Sequence, residues 1–361
     1  MRIGLYDPHL STLGGGERYL LTIMEEALGV PDASVTLLSP EEPDPDDWRR
    51  LGIRIEEGAF RWSRALDPEV TAASKDLDLL VALSNEVPPL SHAGRSVAMV
   101  QFPHRSHMGP RGRLLRALRV SRAPAALASY DLFLCNSEFT RAHIRARLGV
   151  DATVLAPPVD LPAPVDVPPR TSAGREPLIL SVGRFFSDWH SKNQHVLVEA
   201  FRELDAPGWS LVLAGGSDDP PYVERVRRAA EGLPVTLRLD LPRDELLDLY
   251  SRASLFWHAA GYGQDQRRHP ERLEHFGIAT AEAMAHGAVP LVFPAGGSAE
   301  LVEDGRTGRW WRTPSELAER TRELIADEPE RERLAMAARA AAERSSTQRF
   351  RKEIRTLVLR V

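Results

Sequence analysis

Short apolar runs alternate with stretches whose apolar residues recur at helical spacing. In the first half, "RIGLYD", "VTLL", "LLVAL", "SVAMVQF", "DLFLC" and "ATVLA" read as strands. Helical patterns separate them, among them 17–28 and 138–148. Leu20, Ile23, Met24, Ala27 and Leu28 form the apolar stripe of the first helix. Strands this apolar are buried on both faces, so the pattern predicts a doubly wound parallel α/β unit. A proline cluster follows over 156–177, starting "APPVDLPAPVDVPPR", and predicts a stiff, extended connector outside any sheet interior. The alternation then restarts with "PLILSVGRF", "WSLVLAGG", "VTLRL", "ASLFWHA" and "VPLVF". The expected division is a first domain over 1–165, a second over 166–343 and a terminal helix over 344–361.

Composition narrows the class. The chain has 361 residues, more than one ordinary core holds, which agrees with two domains. It is 43% hydrophobic and 27% charged with a net charge of −5, and no basic excess points to nucleic acid. The single cysteine, Cys135, sits in an apolar run and reads as a buried thiol. No apolar run approaches the ~18 residues of a membrane span, and "MRIGLYD" reads as a strand, not a secretory signal. A cytoplasmic protein is expected, at most peripheral at the inner membrane face.

The chemistry concentrates in Glu274–Gly308, "EHFGIATAEAMAHGAVPLVFPAGGSAELVEDGRTG". A helix opens near Gly277, with Ile278, Ala281, Met284 and Ala285 on its apolar side, and stops at Gly287. A helix start presents unpaired N–H groups and partial positive charge, so the amides of Phe276, Gly277 and Ile278 could seat an anion. Glu274 precedes this helix and Glu282 lies a turn inside it. Such carboxylates could accept from hydroxyls on either side of a bound diphosphate. Acids also favour a first helical turn for its own sake.

Earlier in the chain, Gly14, Gly15 and Gly16 follow the first strand and open a helix, where backbone can approach a phosphate or sugar closely. Tyr19 stands in the place of a third glycine, so this is no dinucleotide fingerprint. In "SVGRFFSDWHSKNQH", Gly183 and Arg184 end a strand and Lys192 precedes a helix. Fixed cations there would meet the charge that builds on a departing diphosphate. His104 ends "SVAMVQFPH" at a strand C-terminus, with His107 nearby. The acids Asp44–Asp46 and Asp76–Asp78 have a metal-binding DxD form, but their context reads as surface, and no metal site is expected.

Taken together, Glu-x7-Glu within "FG…EAMA.G.P", then "GG..E.V.DG.TG", resembles glycosyltransferase family 4, retaining enzymes of the GT-B fold. The match is dense over 178–310 and also touches "GGER" after the first strand. The resemblance implies two Rossmann-like domains facing a central cleft, with the C-terminal helix crossing back to the first. It implies a nucleotide diphosphate sugar as donor, transfer of a mannose- or glucose-type hexose to an acceptor hydroxyl with retention, and no cofactor or metal. Arg184 and Lys192 would grip the diphosphate with Gly15, Gly16, Gly183 and the amides at Phe276–Ile278. Glu274 would hold a sugar hydroxyl, Glu282 the ribose, and His104 would reach the donor sugar.

"RLDLPRDELLDLYSRAS" resembles the family's nucleobase segment, with Leu241 against the base and the backbone of Arg238 and Leu239 at its edge. Pro242 with acids in a first turn is equally good capping chemistry. His275 in "EHFG" resembles mannosyltransferase-like members, which points toward a GDP-linked donor over a UDP-linked one. The long charged segment "AGYGQDQRRHPERLEH" departs from the family's short connection; it either shapes the donor pocket or is a solvated loop. A glycan or a lipid-linked or other small acceptor is expected. The arginine run 111–122 would touch anionic headgroups or an acceptor phosphate, or is an ordinary surface helix. The rival classes are a GT-B sugar-nucleotide epimerase and a non-catalytic two-lobed sugar binder.

Overall fold

The computed structural model describes residues 1–12, 14–56, 58–104, 123–162, 174–188, 191–217 and 219–361. His107, the arginine run 111–122 and residues 163–173 of the proline-rich segment lie outside them. The chain forms two compact units, Met1–Pro158 with Thr347–Val361, and Val159–Ser346.

The first unit is built on seven parallel strands: β1 (Arg2–Tyr6), β2 (Ser34–Ser39), β3 (Arg61–Arg64), β4 (Leu79–Ser84), β5 (Arg95–Val100), β6 (Leu132–Cys135) and β7 (Thr153–Val154), in the order β3-β2-β1-β4-β5-β6-β7. From β1 the chain winds to one side and then restarts at β4 on the other. The β1/β4 boundary is therefore the switch point of a doubly wound sheet. Helix α1 (Gly15–Leu28) lays Leu20, Ile23, Met24 and Ala27 into a core with Ile3, Leu5, Val81 and Val97. Helix α2 (Glu138–Leu148) starts where the Ser137 hydroxyl accepts from Thr140 N–H and ends at left-handed Gly149.

The C-terminal helix Thr347–Ile354 returns to this unit. Phe350 meets Tyr19 edge-to-face at 4.7 Å, and Arg351 donates to Glu25 at 2.6 Å and Glu26 at 2.7 Å. Tyr19, which broke the glycine fingerprint, is thus a docking surface for the end of the chain.

The second unit carries six parallel strands: β8 (Glu176–Val182), β9 (Ser210–Gly215), β10 (Val235–Leu239), β11 (Ala253–His258), β12 (Val289–Val292) and β13 (Arg309–Trp310), ordered β10-β9-β8-β11-β12-β13. Its switch point falls between β8 and β11. Helices α3 (Gln194–Leu204), α4 (Arg243–Arg252) and α5 (Ile278–Ala285) cover the sheet. Val196, Leu197, Ala200 and Phe201 of α3 are buried, as their spacing predicts. Pro177, where the connector over 156–177 meets the strand read from "PLILSVGRF", is the second residue of β8. Proline is tolerated at the entry of a strand, where a missing N–H costs little. Edge strands β3 and β13 went unread; they are short, and three of four residues in "RWSR" and one of two in "RW" are polar.

Among the described residues, no helix is long and apolar enough to cross a membrane. The two DxD sequences do local work: Asp44 accepts from Asp46 N–H, and Asp78 accepts from Arg2 N–H at 2.6 Å. Cys135, the single cysteine, is buried, and its thiol donates to Ser137 O at 3.5 Å.

Candidate functional site

The second unit gathers its chemistry at the C-terminal ends of β8 and β11, the switch point where open α/β sheets bind ligands. Three side chains from three segments meet there. Lys192 comes from the loop between β8 and α3, His258 is the last residue of β11, and Glu274 precedes α5. Lys192 Nζ lies 2.6 Å from Glu274 Oε2, and His258 Nε2 lies 2.9 Å from the same oxygen. Glu274 Oε1 takes no hydrogen bond from any described residue.

Burial alone would raise the Glu274 carboxyl. The Lys192 ammonium and the His258 hydrogen bond outweigh it and hold this carboxyl well below the usual carboxylate range. An ionised carboxylate only accepts, so His258 Nε2 carries the proton it donates.

Backbone geometry makes the meeting feasible. Gly183 follows β8 beneath the Lys192 stem, where an added Cβ would lie 2.6 Å from Lys192 Cγ. Gln194 ties this turn together, donating to the carbonyls of Gly183 at 3.0 Å and Arg184 at 3.1 Å. Arg184 itself is exposed. Gly296 and Gly297 press on the Glu274 segment: Gly297 N–H donates to Glu274 O at 2.7 Å, and a Cβ on Gly297 would lie 2.4 Å from His275 O. The paired glycines of "GGSAE" are therefore a steric requirement of the segment that carries Glu274.

Gly277 caps α5 in a left-handed conformation, φ +100°. The amides of Phe276, Gly277 and Ile278 donate to no described residue. Three donors and a helix start thus stand beside the Lys192–Glu274 pair.

Glu282 sits deeper than its expected role suggests. It is 3% exposed, and its Oε1 accepts from Arg243 Nη2, which also reaches Asp160 at 3.5 Å. Burial disfavours charge on Arg243, but Glu282 reverses that and raises its pKa. Leu241 is half-buried against Leu178, Leu180 and Ala214, and Arg238 at the end of β10 pairs with Glu245 at 2.7 Å.

The charged segment before Glu274 is an ordered loop. Tyr262 packs on Phe293 and Trp311, each at 5.5 Å, and Asp265 accepts from the amides of Arg267 and Arg268. Asn193 Nδ2 donates to Ala259 O at 2.9 Å, anchoring the loop's start to the residue before α3.

Gly15 and Gly16 follow β1, and His104 follows β5, all in the first unit. A Cβ on Gly16 would overlap the Gln101 amide, so the Gln101 side chain lies directly on this glycine. His104 N–H donates to Asn85 O at 2.9 Å, and its ring lies 5.7 Å from that of Phe102. Asp7 follows β1 and is fully buried; burial first, and the neighbouring Glu17 second, push its carboxyl up to about 8. Glu17 Oε2 accepts from Gly14 N–H at 2.6 Å.

His258 and Arg243 were not singled out from sequence. A histidine closing the apolar run "SLFWH" was the available signal. Arg243 had none, since its partners lie 39 and 83 positions away.

The comparisons point the same way. Residues 166–341, just under half the chain, match the family model described as Glycosyl transferases group 1. The fold is GT-B: HepE from Anabaena, solved in complex with UDP, superposes with a TM-score of 0.73 at 19% identity over 100% of both chains. The family match supports a glycosyltransferase.

Among curated relatives, the human GDP-Man:Man(3)GlcNAc(2)-PP-Dol alpha-1,2-mannosyltransferase is 29% identical over 244 residues, 61% of this chain and 46% of that protein. The D-inositol 3-phosphate glycosyltransferase of Xylanimonas cellulosilytica is 30% identical over 255 residues, 65% of this chain and 57% of that protein. The chain thus spans about half the length of these relatives.

Proposed function

We propose that the protein is a retaining hexosyltransferase of glycosyltransferase family 4. It would take a mannose- or glucose-type sugar from a GDP- or UDP-linked donor to an acceptor hydroxyl in glycan or glycolipid synthesis. The observation that carries this reading is the juxtaposition at Gly277: three undonated amides at a helix start, next to a cation and an ionised carboxylate. A diphosphate satisfies the amides and the Lys192 ammonium together, since that ammonium has three donors and spends one on Glu274.

In this reading the bond from the sugar's anomeric carbon to the phosphate oxygen breaks while the acceptor oxygen bonds to the same face. The acceptor proton passes to the departing diphosphate. Lys192, Arg184 and the α5 amides stabilise the charge on that leaving group. They occupy the role a metal would otherwise fill, so the reading invokes no metal or other cofactor. Glu274 Oε1 accepts a hydroxyl of the transferred sugar.

The mannosyltransferases among the relatives and the "EHFG" context favour a GDP-mannose-type donor. The test is thermal stabilisation by UDP, GDP and ADP, because a ligand that binds only the native state raises the melting point. One of the three should stabilise the protein at micromolar concentration. NMR of the product then reads the anomeric configuration, and an inverted product would remove the retaining assignment.

A further inference from the structure

We propose that His258 is a positioning residue for this reaction. By holding Glu274 Oε2, it leaves Oε1 as the one carboxylate oxygen offered to the transferred sugar. The inference rests on the donor-site reading above and adds a residue that neither spacing nor motif singled out.

A glutamate has a long, flexible side chain, and a single partner would let its carboxylate swing. Here Oε2 receives two donors from different segments, Lys192 at 2.6 Å and His258 at 2.9 Å. Two donors on one oxygen fix the carboxylate plane and deny that oxygen to substrate. His258 is suited to this role because it is itself immobile. It is 2% exposed, belongs to central strand β11 and lies stacked with Phe256 at 6.3 Å between ring centroids.

Lys192 cannot do the same work alone, because in the proposed function its ammonium also serves the diphosphate. When that ligand draws on Lys192, the His258 bond is what keeps Glu274 in place. A geometric error at a hydroxyl contact is felt in the chemical step more than in nucleotide affinity.

The test exploits reach. The amide of Gln at position 258 can place an N–H where Nε2 stands, whereas Asn stops short of it; both are polar and similar in their burden on the fold. Wild type, His258→Gln and His258→Asn are titrated calorimetrically with UDP, GDP, UDP-glucose and GDP-mannose. Release of nucleoside diphosphate from the preferred sugar donor gives kcat and KM. His258→Asn should bind the nucleoside diphosphate within about twofold of wild type. Its affinity for the sugar-bearing donor and its kcat should each fall about tenfold, the loss expected for one hydrogen bond to a charged group. His258→Gln should stay within about threefold of wild type. Equal behaviour of the two variants, whether both intact or both impaired, overturns the positioning role. Wild-type protein that binds neither UDP nor GDP overturns the donor-site reading itself.

Discussion

Lys192 and Glu274, 82 positions apart in the chain, form an ion pair of 2.6 Å beside the start of α5. The lysine side chain is 25% exposed and the glutamate 14%, so the pair is sheltered yet open to a ligand. In the proposed function one member serves the phosphates and the other the sugar, and their contact sets the spacing between the two.

Removing the cation tests that arrangement. Lys192→Ala should lose on the order of 10²–10³ in turnover while keeping its secondary structure by circular dichroism. Near wild-type turnover would take Lys192 out of the diphosphate site.

Arg243 and Glu282 make a different kind of pair. Glu282 is buried, so Arg243→Met removes the partner of a buried ion pair and should cost about 3–5 kcal/mol in urea unfolding. The double variant Arg243→Met with Glu282→Leu should recover much of that loss, because an apolar pair buries no charge. A single variant as stable as wild type would show that the pair contributes nothing.

Gly297 is a steric prediction. A methyl group there meets His275 O and Phe276 Cα at 2.4 and 2.7 Å, and both are backbone-bound atoms that cannot step aside. Gly297→Ala should lose about 1–3 kcal/mol of stability. Its nucleotide-sugar affinity should also fall, since the shifted segment carries Glu274. Unchanged melting and affinity would contradict the packing account.

Asp7 gives a pH-dependent prediction. Its folded pKa, raised to about 8, exceeds the unfolded value near 3.8. Between these values the unfolded chain has lost the proton and the folded one retains it, so stability falls as pH rises. Asp7→Asn removes this dependence and keeps an acceptor for His9 N–H. The melting-temperature difference, variant minus wild type, should therefore grow from pH 4 to pH 8 and then level off. A difference flat across that range would refute the burial argument.

Much of the architecture is legible because it rests on local pattern. The apolar runs that became β1, β8 and β11 need burial on both faces wherever they lie, and the stripe of α1 needs a sheet beneath it. Strands β3 and β13 escape because they are short and mostly polar, whereas the edges β7 and β10 sit in apolar runs that the pattern picks out. At the site, Gly277, Lys192 and Glu274 stood out through spacing and resemblance. What the chain does not announce is pairing at long range: His258 on Glu274, Arg243 on Glu282, Gln101 on Gly16. The segment 261–273 shows the same limit. Its charges fit a solvated loop or one that shapes the donor pocket, while half-buried Tyr262 on Phe293 and Trp311, together with buried Glu271 and Leu273, makes it part of the structure.

The most direct test of the central claim is a crystal structure of the wild-type protein with whichever of UDP, GDP or ADP stabilises it. The diphosphate should lie within hydrogen-bonding distance of the Gly277 and Ile278 amides and of Lys192 Nζ. A diphosphate seated elsewhere, with those amides undonated and Lys192 still bound only to Glu274, would contradict that claim.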